Sequence, residues 1–289
     1  MSRIIIYGGQ GYVGRNIIKK LHKKHEIYNI SPAKFKTNKD LNYSHIPGQL
    51  WDNLSKIKQI APEYFIINFF GNPNIDSKYV YEEIIESICK TDKVLENPVI
   101  FIFLSSQLVY GNKHPGLKSE DDRLFPVSMY AKKCTEMEKL LMARINNDSV
   151  ILRVPILYGN NSQVTGYKNI VSRFIDIAGS GKNITIYGMG KQCRTFLHIN
   201  DLAVLIESII NTGIKNEILN ASTGDFLSIN DIANLIAGHF KVGVINNLEW
   251  PSNKLKLEAQ DIKLSNKKAK SIFRGAYGFK RYIHNGKKL

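Results

Sequence analysis

The chain has 289 residues, enough for one large α/β domain with a smaller second lobe. Its 43% hydrophobic and 10% aromatic content are those of a folded globular protein and exclude a disordered or fibrous chain. The net charge of +15 comes from scattered lysines with no block of five or six consecutive basic residues, which argues against a specific nucleic-acid partner and favours, at most, a phosphate-bearing ligand. Apolar runs such as "YFIINFF" and "VIFIFL" fall far short of the ~20 residues of a membrane helix, so no membrane insertion is expected. The start, "RIIIYGG", has no signal-peptide core. Cys89, Cys134 and Cys193 are widely spaced and form neither a metal nor a disulfide pattern, so a reduced cytoplasm is the expected compartment.

In chain order, strand-like and helix-like segments alternate, which predicts a parallel sheet with crossover helices. "RIIIYG" reads as a first buried strand and Tyr12 to Lys24 as a helix. "HEIYNIS" and "EYFIINFF" read as the second and third strands. A long helical pattern covers 76–97, "PVIFIFLSS" makes a fourth strand, 128–146 is helical, and "VILRVPI" is a further strand. Beyond Tyr158 the rhythm changes to longer loops, with "ITIYGMGKQCR" and a closing "LSNKKAKSIF" helix suggesting a smaller lobe.

Between the first strand and the first helix lies "YGGQGYVG", with Gly8, Gly11 and Gly14 at GxxGxxG spacing. Glycine permits a tight turn and the close approach of a pyrophosphate, which then rests on the helix N-terminus. The plain alternative is a glycine-rich turn with no ligand, but the strand–loop–helix order favours a dinucleotide. At the end of the second strand, where a carboxylate would hold the ribose hydroxyls of NAD, stands Ser31, followed by Lys34 and Lys36. A hydroxyl and two cations lean towards NADP over NAD. The cofactor-contacting set is therefore Gly8, Gly11, Tyr12, Val13, Gly14, Ser31 and Lys34.

At "FLSSQLVYG" and "SMYAKKCTEME" the sequence resembles an extended short-chain dehydrogenase/reductase of the NAD-dependent, nucleotide-sugar-modifying epimerase/dehydratase kind. The resemblance continues through "LRVPILYGN", "IYGMGKQCRTFLHINDLA" and "ILNASTG". It implies a Rossmann-like doubly wound parallel sheet over 1–158, with 196–212 returning to it, and a mainly substrate-holding α+β lobe over 159–289. It also implies a nucleoside-diphosphate sugar as substrate and a homodimer through the helices at 76–97 and 128–146. Matched residue by residue, Ser106 falls on the hydroxyl that orients the substrate and Tyr130 on the acid/base. Arg194 falls on the arginine that grips the diphosphate, and Tyr110 on the substrate side. Taken singly, Ser106 is also a plausible strand-end cap, Tyr130 a helix-start aromatic and Arg194 a surface charge.

Several positions depart from the family pattern. Cys134 occupies the place of the lysine that holds the nicotinamide ribose and lowers the tyrosine pKa. Ser87 replaces an asparagine, Thr195 an aspartate, and "NFFG" a small-residue stretch. A tyrosine at its ordinary pKa of ~10 is roughly 0.1% ionised at pH 7, so abstracting a proton from a sugar alcohol suffers badly. Ketone reduction needs the protonated form and suffers least. Lys133 is rotated about 100° from the lysine place and does not substitute for it without a shifted helix. The acidic pair that dehydratases carry is replaced by Gln107 and Leu108, which disfavours elimination. The sequence thus reads as a 4-keto-sugar reductase using NADP or NAD. A 4-epimerase is the enzymatic rival. A dinucleotide-binding sensor or scaffold, or an RNA-binding relative of the fold, are the rivals from other classes.

Overall fold

The computed structural model describes residues 1–31, 41–68, 78–111, 113, 116–143, 145–159, 169–250 and 261–285. Its centre is a seven-stranded sheet in the order β11-β7-β5-β4-β1-β2-β3, every neighbouring pair parallel. The strands are β1 (Arg3–Tyr7), β2 (Glu26–Ser31), β3 (Ser44–Pro47), β4 (Tyr64–Asn68), β5 (Ile100–Ser106), β7 (Asp148–Val154) and β11 (Glu217–Asn220). A parallel sheet buried on both faces needs apolar side chains in both directions, so its strands are continuous apolar runs. Ile4, Ile6, Ile66, Ile102, Leu104, Val150 and Leu152 face one layer, while Ile5, Tyr7, Phe65, Ile67, Phe101, Phe103 and Ile151 face the other.

The first layer is closed by α1 (Tyr12–Leu21) and α6 (Ile199–Thr212), whose Ile17, Ile18 and Leu21 meet Leu202, Leu205, Ile206 and Ile209. Glu207 of α6 clips the two helices together by pairing with Lys20 and Lys24. The second layer is closed by α2 (Leu54–Ile60), α3 (Lys78–Val94) and α4 (Met129–Ala143). Both α6 and the edge strand β11 follow the change of rhythm at Tyr158 and return to the sheet.

A separate core gathers α5 (Ile170–Gly179), β8 (Ile156–Tyr158), β9 (Ile184–Tyr187), β10 (Cys193–His198), α7 (Ile229–Phe240) and α8 (Phe279–Asn285). There β10 is flanked by β8 and by β12 (Phe226–Ser228), and β9 pairs with β13 (Val244–Leu248). A third contact, β14 (Lys263–Leu264) on β6 (Leu117–Lys118), ties the late chain to the loop after β5. Among the described residues no helix is long and apolar enough to cross a membrane. Phe69 and Phe70 of the "NFFG" stretch lie outside the described residues.

The strand and helix expectations over the first 158 residues hold in kind, with ends trimmed by a few residues, but the helix expected at "LSNKKAKSIF" does not form: that stretch starts in β14 and holds only a 3₁₀ turn, Ala269–Ser271. The short β3 and α2 carry no strong sequence signal. β3 has four residues and ends on a proline, and α2 has seven residues with only Ile57 and Ile60 buried.

Candidate active site

The cofactor side is made of backbone. After β1 the chain turns over Gly8 at φ +83°, the left-handed region that favours glycine. A β-carbon on Gly8 would stand 2.4 Å from the Asn68 carbonyl oxygen, so no other residue fits. The Gly8 N–H donates to the Ile30 carbonyl at 3.1 Å, and Asn68 Nδ2 donates to the Gly8 carbonyl at 3.1 Å. The Gly9 N–H donates to Asn29 Oδ1 at 2.9 Å. Two buried asparagines, one from β2 and one from β4, thus grip the loop from either side. Gly14 lets α1 close on it, since a β-carbon there would lie 2.3 Å from Gly9 Cα.

Gly11 caps α1 in extended conformation (φ −72°, ψ 174°) without a side-chain hydrogen bond, and the first turn has no acidic residue. The amides and positive pole of that helix end are presented to a ligand. Tyr12 and Val13 turn their side chains into the core, with the Tyr12 hydroxyl donating to the Gly159 carbonyl at 3.3 Å, so what they offer a ligand is backbone N–H. The sheet order reverses between β1 and β4, and the crevice at their carboxyl ends is where doubly wound sheets hold ligands. Gly8, Gly11 and Gly14 lie in the loop that borders that crevice, between β1 and the start of α1. Ser31 closes β2, its Oγ 3.2 Å from His45 Nε2 on β3. Lys34 and Lys36 lie outside the described residues.

The catalytic side is made of side chains. β5 ends on Ser106, whose Oγ accepts from the Leu108 N–H at 3.2 Å and opens a short 3₁₀ turn, Gln107–Tyr110. Ser128 Oγ accepts from the Ala131 N–H at 3.1 Å at the start of α4 and so sets Tyr130 in the first turn. Tyr130 packs on a small cluster of Val109, Tyr110, Cys134, Ile262 and Leu264. One helical turn on, Cys134 is 3% exposed. Burial pushes its thiol up to about 12, and a hydrogen bond with the Tyr130 side chain opposes this only in part. At neutral pH position 134 therefore carries a neutral thiol packed beside the tyrosine.

Lys133 turns away, its Nζ 5.2 Å from the centre of the Tyr81 ring on α3, while the Tyr81 hydroxyl donates to the Lys133 carbonyl at 2.7 Å. This is the direction that a 100° helical step requires. No cation from 133 replaces the missing one.

Beneath this pair lies a buried polar network that sequence reasoning missed. Arg153 of β7 forks onto Glu138 of α4, Nη2 to Oε2 at 2.9 Å, and Ser105 donates its hydroxyl to the same carboxylate. Arg153 Nη1 donates to the Tyr110 hydroxyl at 2.9 Å, and that hydroxyl donates to Asn220 Oδ1 at 2.7 Å. Tyr110, expected on the substrate side, is 1% exposed and acts as a strut inside this network. Burial accordingly pushes its hydroxyl up to about 12, against the opposing pull of Arg153.

Arg194 of β10 is 6% exposed, with Nη1 donating to the Cys193 carbonyl at 2.9 Å, and it bridges to Ile262 through the backbone. Thr195, in the aspartate place, accepts the Leu264 N–H at 2.7 Å and so pins the segment that walls Cys134. Ser87 Oγ donates within α3, to the Glu83 carbonyl at 2.6 Å. A buried polar residue inside an apolar strand was the signal available for part of this: Asn29 in "IYNIS" and Asn68 closing "YFIIN" each need a partner, and both find it in the glycine loop.

With the glycine loop and the Tyr130 side placed, comparison with known proteins follows. Residues 4–222 match the model of the NAD dependent epimerase/dehydratase family. The chain belongs to that family. A UDP-N-acetyl-alpha-D-glucosaminuronate decarboxylase of Bacillus cytotoxicus is 25% identical over 245 residues, covering 78% of this chain and 76% of the relative. The UDP-N-acetylglucosamine 4-epimerase of Methanobrevibacter ruminantium, solved with UDP-N-acetylmuramic acid, superposes with a TM-score of 0.79 at 18% identity, over 98% of this chain and 96% of its own. The Bordetella bronchiseptica enzyme WbmG, solved with NAD and UDP, superposes with a TM-score of 0.79 at 18% identity, over 98% of this chain and 93% of its own. The likeness to both structures extends over the C-terminal lobe, beyond the residues that the family model matches.

Proposed function

We propose that the protein is an NAD(P)-dependent oxidoreductase acting on a nucleoside-diphosphate sugar, and that its reaction is reduction of a 4-keto sugar. The observation that carries this reading is the buried Cys134 thiol packed against Tyr130, where the resemblance would put a cation. The substrate class is supported by relatives that act on, or hold, UDP or UDP-linked sugars. The fitted glycine cradle supports the cofactor class. A reduced nicotinamide held there would supply the hydride.

In this reading Ser106 Oγ orients the carbonyl oxygen and Tyr130 donates the proton that the new alkoxide takes up. Arg194 is proposed to meet the diphosphate. The phenolate left on Tyr130 has no cation at position 134 to stabilise it, so the reverse reaction is the one penalised. Gln107 and Leu108 offer no carboxylate for elimination. The second reading, a 4-epimerase, is favoured by the likeness to the Methanobrevibacter ruminantium structure, but it requires Tyr130 to work both as base and as acid.

The test is turnover in both directions with a panel of nucleotide-linked 4-keto sugars and sugar alcohols. Reduction that outpaces oxidation and drops at least ~100-fold in Tyr130→Phe is the expected result. Interconversion of 4-epimers without net cofactor consumption would select the epimerase, and turnover indifferent to Tyr130→Phe would defeat the mechanism.

The homodimer through α3 and α4 is likewise a proposal. The outward residues there combine charges, Glu83, Glu86, Lys90 and Lys93 on α3 and Lys132, Glu136 and Lys139 on α4, with the exposed Met129 and Met142 near the two ends of α4. The ionic part of such a dimer should weaken as salt rises, which light scattering measures. A strict monomer at low salt would contradict it.

A further inference from the structure

The positive charge of the chain is unevenly placed. Nine of its 40 Lys and Arg and none of its 25 Asp and Glu follow Asp261, so residues 262–289 carry +9 of the net +15. A sign asymmetry of this kind points to an anionic surface as partner. The described part of the stretch is folded onto the protein. Phe273 is buried in the core under α1 and α6, and Phe279 and Ile283 in that of the C-terminal lobe. Around these anchors Lys267, Lys270, Arg274, Lys280 and Arg281 are exposed, and none of them pairs with a carboxylate among the described residues. Lys263 and Lys268 do pair, with Asp261 and Glu217. Stability does not account for the other five. Lys267 and Lys270 stand three apart around one turn, a spacing at which like charges repel. Lys280 and Arg281 sit in the first turn of α8, at the helix end whose dipole disfavours cations. Between the two pairs the loop is pinned to α6, where Asp201 accepts the N–H groups of Ala276 and Tyr277. Tyr277 is 44% exposed there, one ring face stacked on His198.

We propose that this C-terminal strip is an adsorption surface for an anionic lipid bilayer, on which the protein rests without inserting a segment. Fluid headgroups can gather around cations placed singly and in pairs at irregular spacing. Nucleic-acid phosphates recur at fixed intervals and favour a contiguous basic run, which the chain lacks. A tyrosine with one ring face covered and the rest exposed suits the headgroup level, where an apolar ring and a polar tip are both accommodated. The inference stands apart from the reaction proposed above and needs neither its cofactor nor its substrate.

The full-length protein is sedimented with vesicles of phosphatidylcholine alone and of phosphatidylcholine mixed with phosphatidylglycerol, at low and at raised salt. The variants are Lys267→Gln/Lys270→Gln, Lys280→Gln/Arg281→Gln and a control of the same net charge, Lys19→Gln/Lys23→Gln at the exposed end of α1, each checked for an unchanged melting temperature. Wild type should partition onto the anionic vesicles and not the neutral ones, and salt should release it. Each C-terminal double variant should lose about 25-fold in partitioning, at roughly five-fold per cation next to an anionic surface. The control should stay within about two-fold, because its charges lie beyond the screening length of the contact. An equal loss in the control would reduce the effect to net charge and overturn the inference. So would a wild type that ignores anionic vesicles or binds neutral ones as well. Single-stranded RNA that binds more tightly than the vesicles, and is lost in the same variants, would make the strip a nucleic-acid surface instead.

Discussion

The two ends of the crevice are built from different materials. At the glycine loop, function is written in the backbone: a positive φ at Gly8, a helix packed to van der Waals limits at Gly14, and an uncapped helix end at Gly11. At Tyr130, function is written in side chains, and their arrangement is held by Glu138, Arg153 and Tyr110 from three separate elements. A backbone device tolerates drift in the residues around it, because φ angles and amide directions survive most substitutions. A side-chain device does not. On the proposed reading, the glycine loop would therefore tolerate substitutions around it that the Tyr130 side would not.

The contrast can be broken most forcefully from below the catalytic pair. Glu138→Ala leaves Arg153 buried without its carboxylate and should cost about 3–5 kcal/mol of stability. Denaturant unfolding measures this, and a loss under about 1 kcal/mol would show that the network is not the support of that end. At the opposite end, Gly11→Val should leave the melting temperature almost unchanged, because φ −72° and ψ 174° admit any residue. Dinucleotide affinity should nevertheless fall at least ~100-fold, about 3 kcal/mol, because the branched side chain stands in the pyrophosphate approach. Unchanged NADPH and NADH titrations would remove the loop from the binding site.

Acid should separate the two ends as well. Burial lowers His198 to about 4 from its ordinary 6.5. The unfolded chain therefore takes up this proton first, so the contribution is complete above pH 6.5 and is lost as pH falls towards 4, by about 3 kcal/mol in all. His198 stacks on Tyr277 in the C-terminal lobe, so hydrogen exchange at pH 5 should rise there before it rises around β1 and α1. Uniform exchange, or a pH profile unaltered in His198→Gln, would contradict this.

The smallest expected effect concerns Cys134 itself. Cys134→Lys brings a cation beside Tyr130, so oxidation of a sugar alcohol should gain about ten-fold at neutral pH and its profile should move to lower pH. Reduction should gain less. Equal gains in both directions would mean that the lysine acts only by positioning the cofactor.

How much of this was visible in the residues follows the same division. The tight turn at Gly8 and the close packing at Gly14 were legible because glycine at those spacings has few other reasons to occur, and the strands were legible because apolar runs flanked by turns leave little choice. The neutral state at Cys134 was half legible: the sequence shows a thiol, but only the burial around it fixes its proton. The role of Tyr110 was not legible at all. Its partners Arg153 and Asn220 lie 43 and 110 positions away, and no local pattern announces a contact of that range.

One wall of the catalytic pocket comes from Ile262 and Leu264, which close over Cys134 more than a hundred residues after it is made. On a ribosome, β1, α1, β2 and β4 emerge early and their loop can be gripped by Asn29 and Asn68 long before synthesis ends. The catalytic pair has no such head start. Until β14 pairs with β6 and Thr195 captures the Leu264 N–H, Cys134 and Val109 lack the Ile262 and Leu264 side of their cluster. On the proposed reading, the glycine loop would be complete before the Tyr130 side is, and a chain cut before residue 262 should still be able to hold a dinucleotide while failing to reduce a substrate.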